Sequence, residues 1–166
     1  MPFFRQQEYI SCKRQLDFTF YIMHFKFYIS PSLSLEKQLL MNTHAINWFE
    51  IPVTDFDRAK KFYETIFDYQ MPENQMGPAR MGFLLYDFQN GGRGGAIVYN
   101  PEFYTPSKNG TLVYLNCEPD LQPVLDRVES AGGKVTTTKT GIGQGLGFWA
   151  LIEDSEGNRV ALHSMK

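Results

Sequence analysis

The stretch that decides the fold is INWFEIPVTDFDRAKKFYETIF, residues 46 to 67. Alternate side chains from Phe49 to Val53 are apolar, which is the period-two pattern of a strand with one buried face. Apolar side chains then recur at helical spacing over 55–67, after the pair Thr54-Asp55, which offers a helix N-cap. The stretch therefore predicts a strand followed at once by an amphipathic helix that packs on a sheet.

Three further strands are predicted after this helix. Turn-forming residues at 76–78 and in the glycine-rich run 89–95 separate them. The predicted strands lie at 69–75, 81–88 and 96–99. The first module therefore has the order βαβββ.

The same order begins again after a loop of turn-forming residues at 101–110. The segment TLVYLNC, residues 111–117, alternates as a strand, and 120–131 carries the apolar stripe of a helix. Asp120 is expected to cap this helix, and Gly132-Gly133 to end it. The strands predicted after it lie at 134–138, 148–153 and 159–163.

The two copies are offset by 64 residues on the strand, which pairs Val53 with Cys117, and by 65 on the helix, which pairs Asp55 with Asp120. One residue is therefore inserted at Glu118-Pro119. An internal repeat of this kind outweighs any single motif. The predicted fold class is α+β, with two tandem βαβββ modules at about 44–100 and 110–166 forming one domain over 41–166.

Residues 1–40 lie outside this domain. Their apolar segment, from Phe18 to Ile29, is interrupted by His24 and Lys26, whereas a membrane span needs about 20 apolar residues. Small residues of a signal-peptide cleavage site do not follow it either. The expectation is a poorly ordered leader or upstream sequence, with translation beginning at Met41.

Composition narrows the classes of function. The net charge of −2 makes the chain a poor binder of nucleic acid. The two cysteines, Cys12 and Cys117, offer no disulfide framework or paired-cysteine metal site. These features predict a cytoplasmic protein that acts on a small molecule, with no nucleic-acid or membrane partner.

The chain resembles the vicinal oxygen chelate superfamily of glyoxalases, bleomycin-resistance proteins and extradiol dioxygenases. The resemblance is carried by IPVTDFDRAKKFYETIF at 51–67, LDRVESAGGKV at 125–135 and EDSEGNRVAL at 153–162, the last similar to the family's terminal hairpin. It implies that the two modules form an incomplete barrel around a cavity, and that the protein is a homodimer. Its opening Trp-Phe-Glu run is similar to a glyoxalase-related branch in which the metal residues are replaced.

The positions at which the family's metal enzymes hold their ion carry other residues in this sequence. The resemblance places ligands at Trp48 and Leu112 on the first strand of each module and at Ala161 on the last, and none can bind a metal. The end of the first module, GGAIVYN, offers no carboxylate or imidazole. The expectation is therefore that the protein has no cofactor, and the alternative is a metal held unconventionally by His44, Glu50 and His163.

Two residues are the candidates for catalysis. Glu50 shares a strand face with Trp48, away from the predicted helix, and a desolvated carboxylate there would have a raised pKa suited to a general base. His163 shares its strand face with Arg159 and could act as acid, base or residual ligand. Ordinary structural roles, a hydrogen-bonded Glu and an exposed terminal His, are the alternatives.

The residues expected to line a ligand cavity are mainly aromatic or polar side chains on the same strand faces. They are Trp48, Tyr99, Leu112, Tyr114, Asn116, Trp149 and Arg159. Ordinary core packing explains the aromatic ones equally well. The glycine-rich loop at 140–149 lacks the order and following helix of a phosphate-binding loop, and the hypotheses for it are a mobile flap or a dimer contact.

Three hypotheses about function follow from these features. The leading one is a small-molecule-binding protein that acts as a metal-independent lyase- or isomerase-like enzyme of unknown substrate. The alternatives are a non-catalytic module that sequesters a ligand, and a lyase or dioxygenase with unconventional metal ligands. No GxSxG motif or acidic calcium loop supports a hydrolase or a calcium protein.

The domain boundary is testable by truncation. We expect residues 41–166, expressed alone, to give a soluble fold with the same thermal stability as the full chain, because both modules lie within that range. Circular dichroism melting of the two proteins measures this. Aggregation of the truncated protein would instead mean that residues 1–40 pack on the domain.

Overall fold

A computed structural model describes residues 45–87 and 89–166 of the protein. The predictions made for residues 1–40, and the candidate ligand His44, lie outside the described residues. No helix in the described part of the chain has the length and apolar character that a membrane span requires.

The first module begins with strand β1 (Trp48–Pro52) and helix α1 (Phe56–Phe67). Strands β2 (Glu73–Met76), β3 (Ala79–Phe83) and β4 (Gly94–Tyr99) follow. The sheet order is β1-β4-β3-β2, with β1 parallel to β4 and the other pairs antiparallel. The parallel pairing requires the chain to cross over between β1 and β4, and α1 lies in that connection.

The second module repeats this arrangement. It consists of β5 (Val113–Asn116), α2 (Gln122–Val128), β6 (Lys134–Gly141), β7 (Phe148–Glu153) and β8 (Arg159–Ser164). Its sheet order is β5-β8-β7-β6, with β5 parallel to β8. The predicted α+β fold of two tandem βαβββ modules is therefore confirmed, as two separate four-stranded sheets rather than a closed barrel.

The second strand of the first module begins later than the predicted 69–75. Asp68 ends α1 in the left-handed conformation, with φ of 54°, and Met71 then turns inward and packs beside Gly82. The Met71 N–H donates to the Glu64 carboxylate at 2.8 Å instead of to a neighbouring strand. The segment before β2 therefore serves core packing, and periodicity alone does not reveal this.

The second helix is shorter than the predicted 120–131, and Asp120 is not at its N-cap position, which Leu121 occupies. The Asp120 carboxylate still accepts the Gln122 N–H at 2.9 Å, and it also pairs with Lys139 at 2.6 Å. Leu121, at the N-cap, is fully enclosed in the core, and a proline follows in the first turn of the helix.

One apolar core contains residues of both modules. The predicted alternation along the first strand is confirmed, because Ile51 and Val53 are buried in this core and Phe49 packs against it. The same holds in β5 and just beyond it, where Leu115 and Cys117 are buried. Enclosing a large apolar side chain stabilises the fold by about 1.5–3 kcal/mol relative to leaving it exposed.

The turn between β7 and β8 is organised by the carboxylate of Asp154. Its Oδ1 accepts the backbone N–H groups of Glu156 and Asn158 at 2.9 and 2.8 Å. Gly157 lies between them with φ of 85°, a conformation that a side chain would strain. The sequence Asp-Ser-Glu-Gly-Asn thus forms a tight, ordered turn that holds Glu156 in one position.

This hairpin is hydrogen-bonded to the first module. The Asn158 side-chain amide donates to the Pro52 carbonyl of β1 at 2.8 Å, and the buried Tyr63 hydroxyl of α1 donates to Asp154 at 2.8 Å. Burial raises the pKa of Asp154, while the hydrogen bonds from Asn158 and Tyr63 oppose that change. The last hairpin of the second module is therefore fixed to the first strand and helix of the other.

Glu156 makes further hydrogen bonds between this hairpin and the first module. Its carboxylate accepts the backbone N–H groups of Thr54 and Asp55, each at 2.9 Å, and the Arg58 Nε–H at 2.7 Å. Its side chain has no exposed surface. Burial alone would raise the pKa of Glu156, but the hydrogen bonds from Arg58, Asp55 and Thr54 lower it to about 2.

Replacing Glu156 with Gln removes the anionic acceptor at the start of α1. We expect the free energy of unfolding at pH 7 to fall by about 2 kcal/mol. Because the folded pKa of about 2 lies below the ordinary 4.5, this stabilisation is complete above pH 4.5 and is lost as the pH falls toward 2. Urea unfolding of both proteins across that range measures the difference.

Glu129→Gln is the matched control, because it also removes one carboxylate, from an exposed position at the end of α2. Its expected change is within about 0.5 kcal/mol. Equal stabilities for the native protein and Glu156→Gln at pH 7 would contradict the role given to this carboxylate.

Candidate functional site

A second, smaller apolar cluster lies on the side of the first sheet that faces away from the main core. Its buried members are Met81, Ala96 and Val98, and Trp48 packs against it. Strand register places Glu50 on this same side, directly opposite Ala96. The predicted position of Trp48 and Glu50, away from the helix, therefore matches the structure.

Glu50 is half-buried, and its carboxylate accepts a hydrogen bond from the Tyr104 hydroxyl. Tyr104 is held in a turn after β4, where its N–H donates to the Asn100 carbonyl at 3.0 Å. The hydrogen bond to Glu50, followed by burial, raises the pKa of Tyr104. The hydroxyl therefore remains a donor at neutral pH and fixes the direction of the carboxylate.

Aromatic rings lie on the same side of the sheet as this carboxylate. The Trp48 ring centroid lies 6.1 Å from that of Phe83 and 6.0 Å from that of Tyr86, both in edge-to-face orientation. The Tyr86 ring lies directly against Gly94, where a Cβ atom would overlap it. Phe83, Tyr86 and Tyr104 were not among the residues predicted from the sequence.

A cleft of about 320 Å³ follows the edge of β1 toward β5 and β8. It brings Glu50 together with Arg159, a second predicted residue, which comes from the other module. Its other lining residues are mostly apolar side chains and hydroxyls: Phe49, Ile51, Pro52, Thr105, Ser107, Gly110, Thr111, Val113, Asn158 and Val160. An apolar cleft with a few polar groups is typical of small-molecule sites.

A second cleft, of about 290 Å³, contains two other predicted residues, Tyr114 and Asn116. Apolar side chains surround them, and Arg93 supplies a charge. Tyr114 is 53% exposed, so its ring stands at an open edge of the protein. Glu50 does not line this cleft, and the structure therefore divides the predicted cavity residues between two clefts.

The outer face of the second sheet brings His163 next to Asn116 and Trp149, each of which is its partner across a neighbouring strand. The His163 Nε2 lies 2.9 Å from the Leu146 carbonyl. A carbonyl oxygen only accepts hydrogen bonds, so Nε2 carries a proton in this arrangement. The ring is thereby tied to the glycine-rich loop rather than directed at Glu50.

Two predicted residues lie away from these groups. Tyr99 packs against the main core, on the opposite side of the first sheet from Glu50, so it does not form one aromatic wall with Tyr114 and Trp149. Leu112 precedes β5, is half-buried and lines neither of the two clefts.

Comparison with known proteins identifies the family. The model of the Glyoxalase/Bleomycin resistance protein/Dioxygenase superfamily matches residues 45–162. The protein belongs to this superfamily. A glyoxylase-like domain-containing protein from Didymella fabae is 30% identical over 120 residues, which cover 70% of this chain and 91% of that protein.

Solved structures of the superfamily share the fold. A variant of glyoxalase I from Zea mays matches with a TM-score of 0.57 and 20% identity, over 71% of this chain and 45% of that one. A glyoxylase/bleomycin resistance protein/dioxygenase domain from Frankia matches with a TM-score of 0.57 and 14% identity, over 74% and 98%. At these identities the likeness extends to the fold alone.

The residues of this superfamily member do not fit a divalent metal at the family's usual positions. Trp48 packs its ring against Phe83 and Tyr86, and Ala161 is fully buried between strands. Within residues 45–87 and 89–166, no group of three or more His, Cys, Asp or Glu side chains is placed to hold an ion. The donor set that such a centre requires is therefore missing from the described domain.

Cys117 is the only described free cysteine, and it is unsuited to nucleophilic chemistry. Burial raises the pKa of its thiol to about 12, although a hydrogen bond from the His163 backbone opposes this. The reactive form of cysteine is the thiolate. The Cys117 thiol therefore stays protonated at neutral pH, and the residue serves as part of the core.

Gly94 is predicted to be required for the aromatic arrangement. In Gly94→Ala the new methyl group would overlap the Tyr86 ring, so we expect a loss of about 1–3 kcal/mol in the free energy of unfolding. Gly110→Ala is the control, because only ordinary contacts surround a Cβ there. Urea unfolding compares the two variants, and equal stabilities would contradict the close ring contact.

Proposed function

We propose that this protein binds a small organic molecule in the cleft between β1 and the β5–β8 pair, and that it does so without a metal. The observation that supports this most directly is the cleft itself, whose apolar walls carry Glu50 from one module and Arg159 from the other. Two opposite charges at fixed positions can orient a polar ligand, while the apolar walls exclude water.

A metal-independent lyase- or isomerase-like reaction is the catalytic form of this proposal. Such reactions need a base held in one direction within reach of a substrate proton. Glu50 meets the first requirement, because Tyr104 donates to one of its carboxylate oxygens. The other oxygen, Oε1, would then accept the proton from a ligand in the cleft.

A protein that only sequesters its ligand is the non-catalytic form of the proposal. The apolar lining of the cleft suits that function equally well, and Glu50 would then serve recognition alone. A metalloenzyme using His44, Glu50 and His163 is less well supported. The His163 Nε2 is already engaged with the Leu146 carbonyl of the glycine-rich loop.

We also propose that the protein is a homodimer and that it lies in the cytoplasm. It is supported by the family's tendency to pair domains and by the exposed ring of Tyr114, which stands at the edge of a sheet. The buried free thiol of Cys117 suits a reducing compartment. Light scattering of the purified protein tests the dimer.

Glu50→Gln separates the catalytic form from the sequestering form. A thermal-shift screen of small polar organic molecules first supplies a ligand. If Glu50 is the base, turnover of that ligand should fall at least about 100-fold in the variant, while binding changes much less. Undiminished turnover would remove Glu50 as the base.

Two further measurements accompany this experiment. Glu129→Gln is the control variant and should retain both binding and turnover, since its carboxylate is exposed on α2, away from the cleft. Metal analysis of protein purified without a histidine tag tests the metal-free proposal. Stoichiometric zinc, nickel, manganese or iron would overturn it.

A further inference from the structure

The outer side of the first sheet combines a carboxylate with several aromatic rings. The group consists of Glu50 with Trp48, Phe83, Tyr86 and Tyr104, and is called here the Glu50 aromatic face. All five residues are partly accessible to solvent. Trp48 links two of the other rings, since it makes edge-to-face contacts with both Phe83 and Tyr86.

Strand register explains why the rings gather at this place. Trp48 and Glu50 lie two residues apart on β1, and therefore on the same side of the sheet. Their partners on the neighbouring β4 are Gly94 and Ala96, and Ala96 in turn pairs with Phe83 on β3. Because the middle strand has almost no side chains here, rings from both sides can approach each other above it.

No cationic side chain among the described residues forms an ion pair with the carboxylate on this face. The hydrogen-bond partner of Glu50, the Tyr104 hydroxyl, is uncharged. Arg159 lines the same cleft as Glu50 without forming an ion pair with it. A partly desolvated carboxylate beside aromatic rings favours a cationic partner.

We propose that the Glu50 aromatic face binds the ammonium group of an organic cation. The rings would attract the cation through the negative potential of their faces, and the Glu50 carboxylate would add a direct electrostatic attraction. This proposal deepens the small-molecule function proposed above, because Glu50 also lines the cleft. It specifies the chemical class of the ligand: an amine or quaternary ammonium compound.

Other ligand classes suit this face less well. A divalent metal ion needs several oxygen, nitrogen or sulfur donors, whereas the other four members of this face are aromatic residues. An anion would be repelled by the carboxylate. A neutral apolar group would cover the carboxylate without compensating the cost of removing it from water.

Choline and 3,3-dimethylbutan-1-ol form a matched pair of probes, because they have nearly the same shape and differ in the positive charge. We expect choline to bind the full-length protein, with upfield shifts of its methyl proton signals in NMR caused by the rings. The neutral alcohol should bind at least roughly tenfold more weakly. Equal affinities, or no binding of choline at millimolar concentration, would overturn the proposal.

Variants then locate the site. Glu50→Gln keeps the shape of the side chain and should weaken choline binding roughly tenfold, and Trp48→Leu should weaken it by a similar factor. Glu129→Gln and Phe103→Leu are the controls, since the first removes a remote carboxylate and the second an exposed ring outside the face. Choline binding that survives both Glu50→Gln and Trp48→Leu would overturn the assignment. Thermal unfolding checks that each variant is folded.

Arg159→Gln tests whether choline binding responds to charge in the direction expected of a cation site. Removing this positive charge from the cleft shared with Glu50 should strengthen choline binding, whereas a site for an anionic ligand would be weakened. Weaker choline binding in this variant would contradict the proposal. If the screen instead finds neutral or anionic ligands and choline does not bind, the cleft function stands and the cation assignment fails; if nothing binds, both fail.

Discussion

The contact between the β7–β8 hairpin and the start of α1 is the constraint on which the rest of the domain depends. A single carboxylate, that of Glu156, accepts hydrogen bonds from Thr54, Asp55 and Arg58. Thr54 and Asp55 follow β1 and Arg58 lies in the first turn of α1, so the hairpin holds both the first strand and the first helix. In the first module alone, the backbone N–H groups of Thr54 and Asp55 would lose this acceptor.

The same contact positions the candidate site. Asn158 is bonded to the carbonyl of Pro52, two residues after Glu50, and Arg159 follows it in the chain. The relative position of Glu50 and Arg159 is therefore restrained by a hydrogen bond between residues that lie one or two positions from them in the chain. A cleft formed by two modules needs such a link if its charges are to keep a constant separation.

The sequence predicted those parts of the fold that depend on local periodicity. The order of elements follows from the apolar patterns along 46–163, and the alternation in the first strand gives its buried side and the position of Trp48 and Glu50 on the other side. Tyr99 was misplaced for a related reason: β4 is buried along most of its length, and a continuous apolar strand carries no alternation from which to assign faces.

The aromatic neighbours of Glu50 could not be predicted in the same way. Tyr104 comes from a loop 54 residues further along the chain, and loop contacts leave no periodic signal. A weak signal for Tyr86 did exist in the pair Gly94-Gly95, since glycines within a strand often mark the close approach of another group. It identified a position of contact without identifying the ring.

The pair Gly94-Gly95 limits which substitutions the protein can accept during evolution. The Tyr86 ring packs against Gly94 on one side of β4, and the Phe49 ring packs against Gly95 on the other side. The strand therefore separates the aromatic face from the main core. A larger residue at 94 would be tolerated only with a smaller one at 86, and at 95 only with a smaller one at 49. In related sequences, positions 94 and 86 should therefore vary together, and so should positions 95 and 49. The two pairs should vary independently of each other.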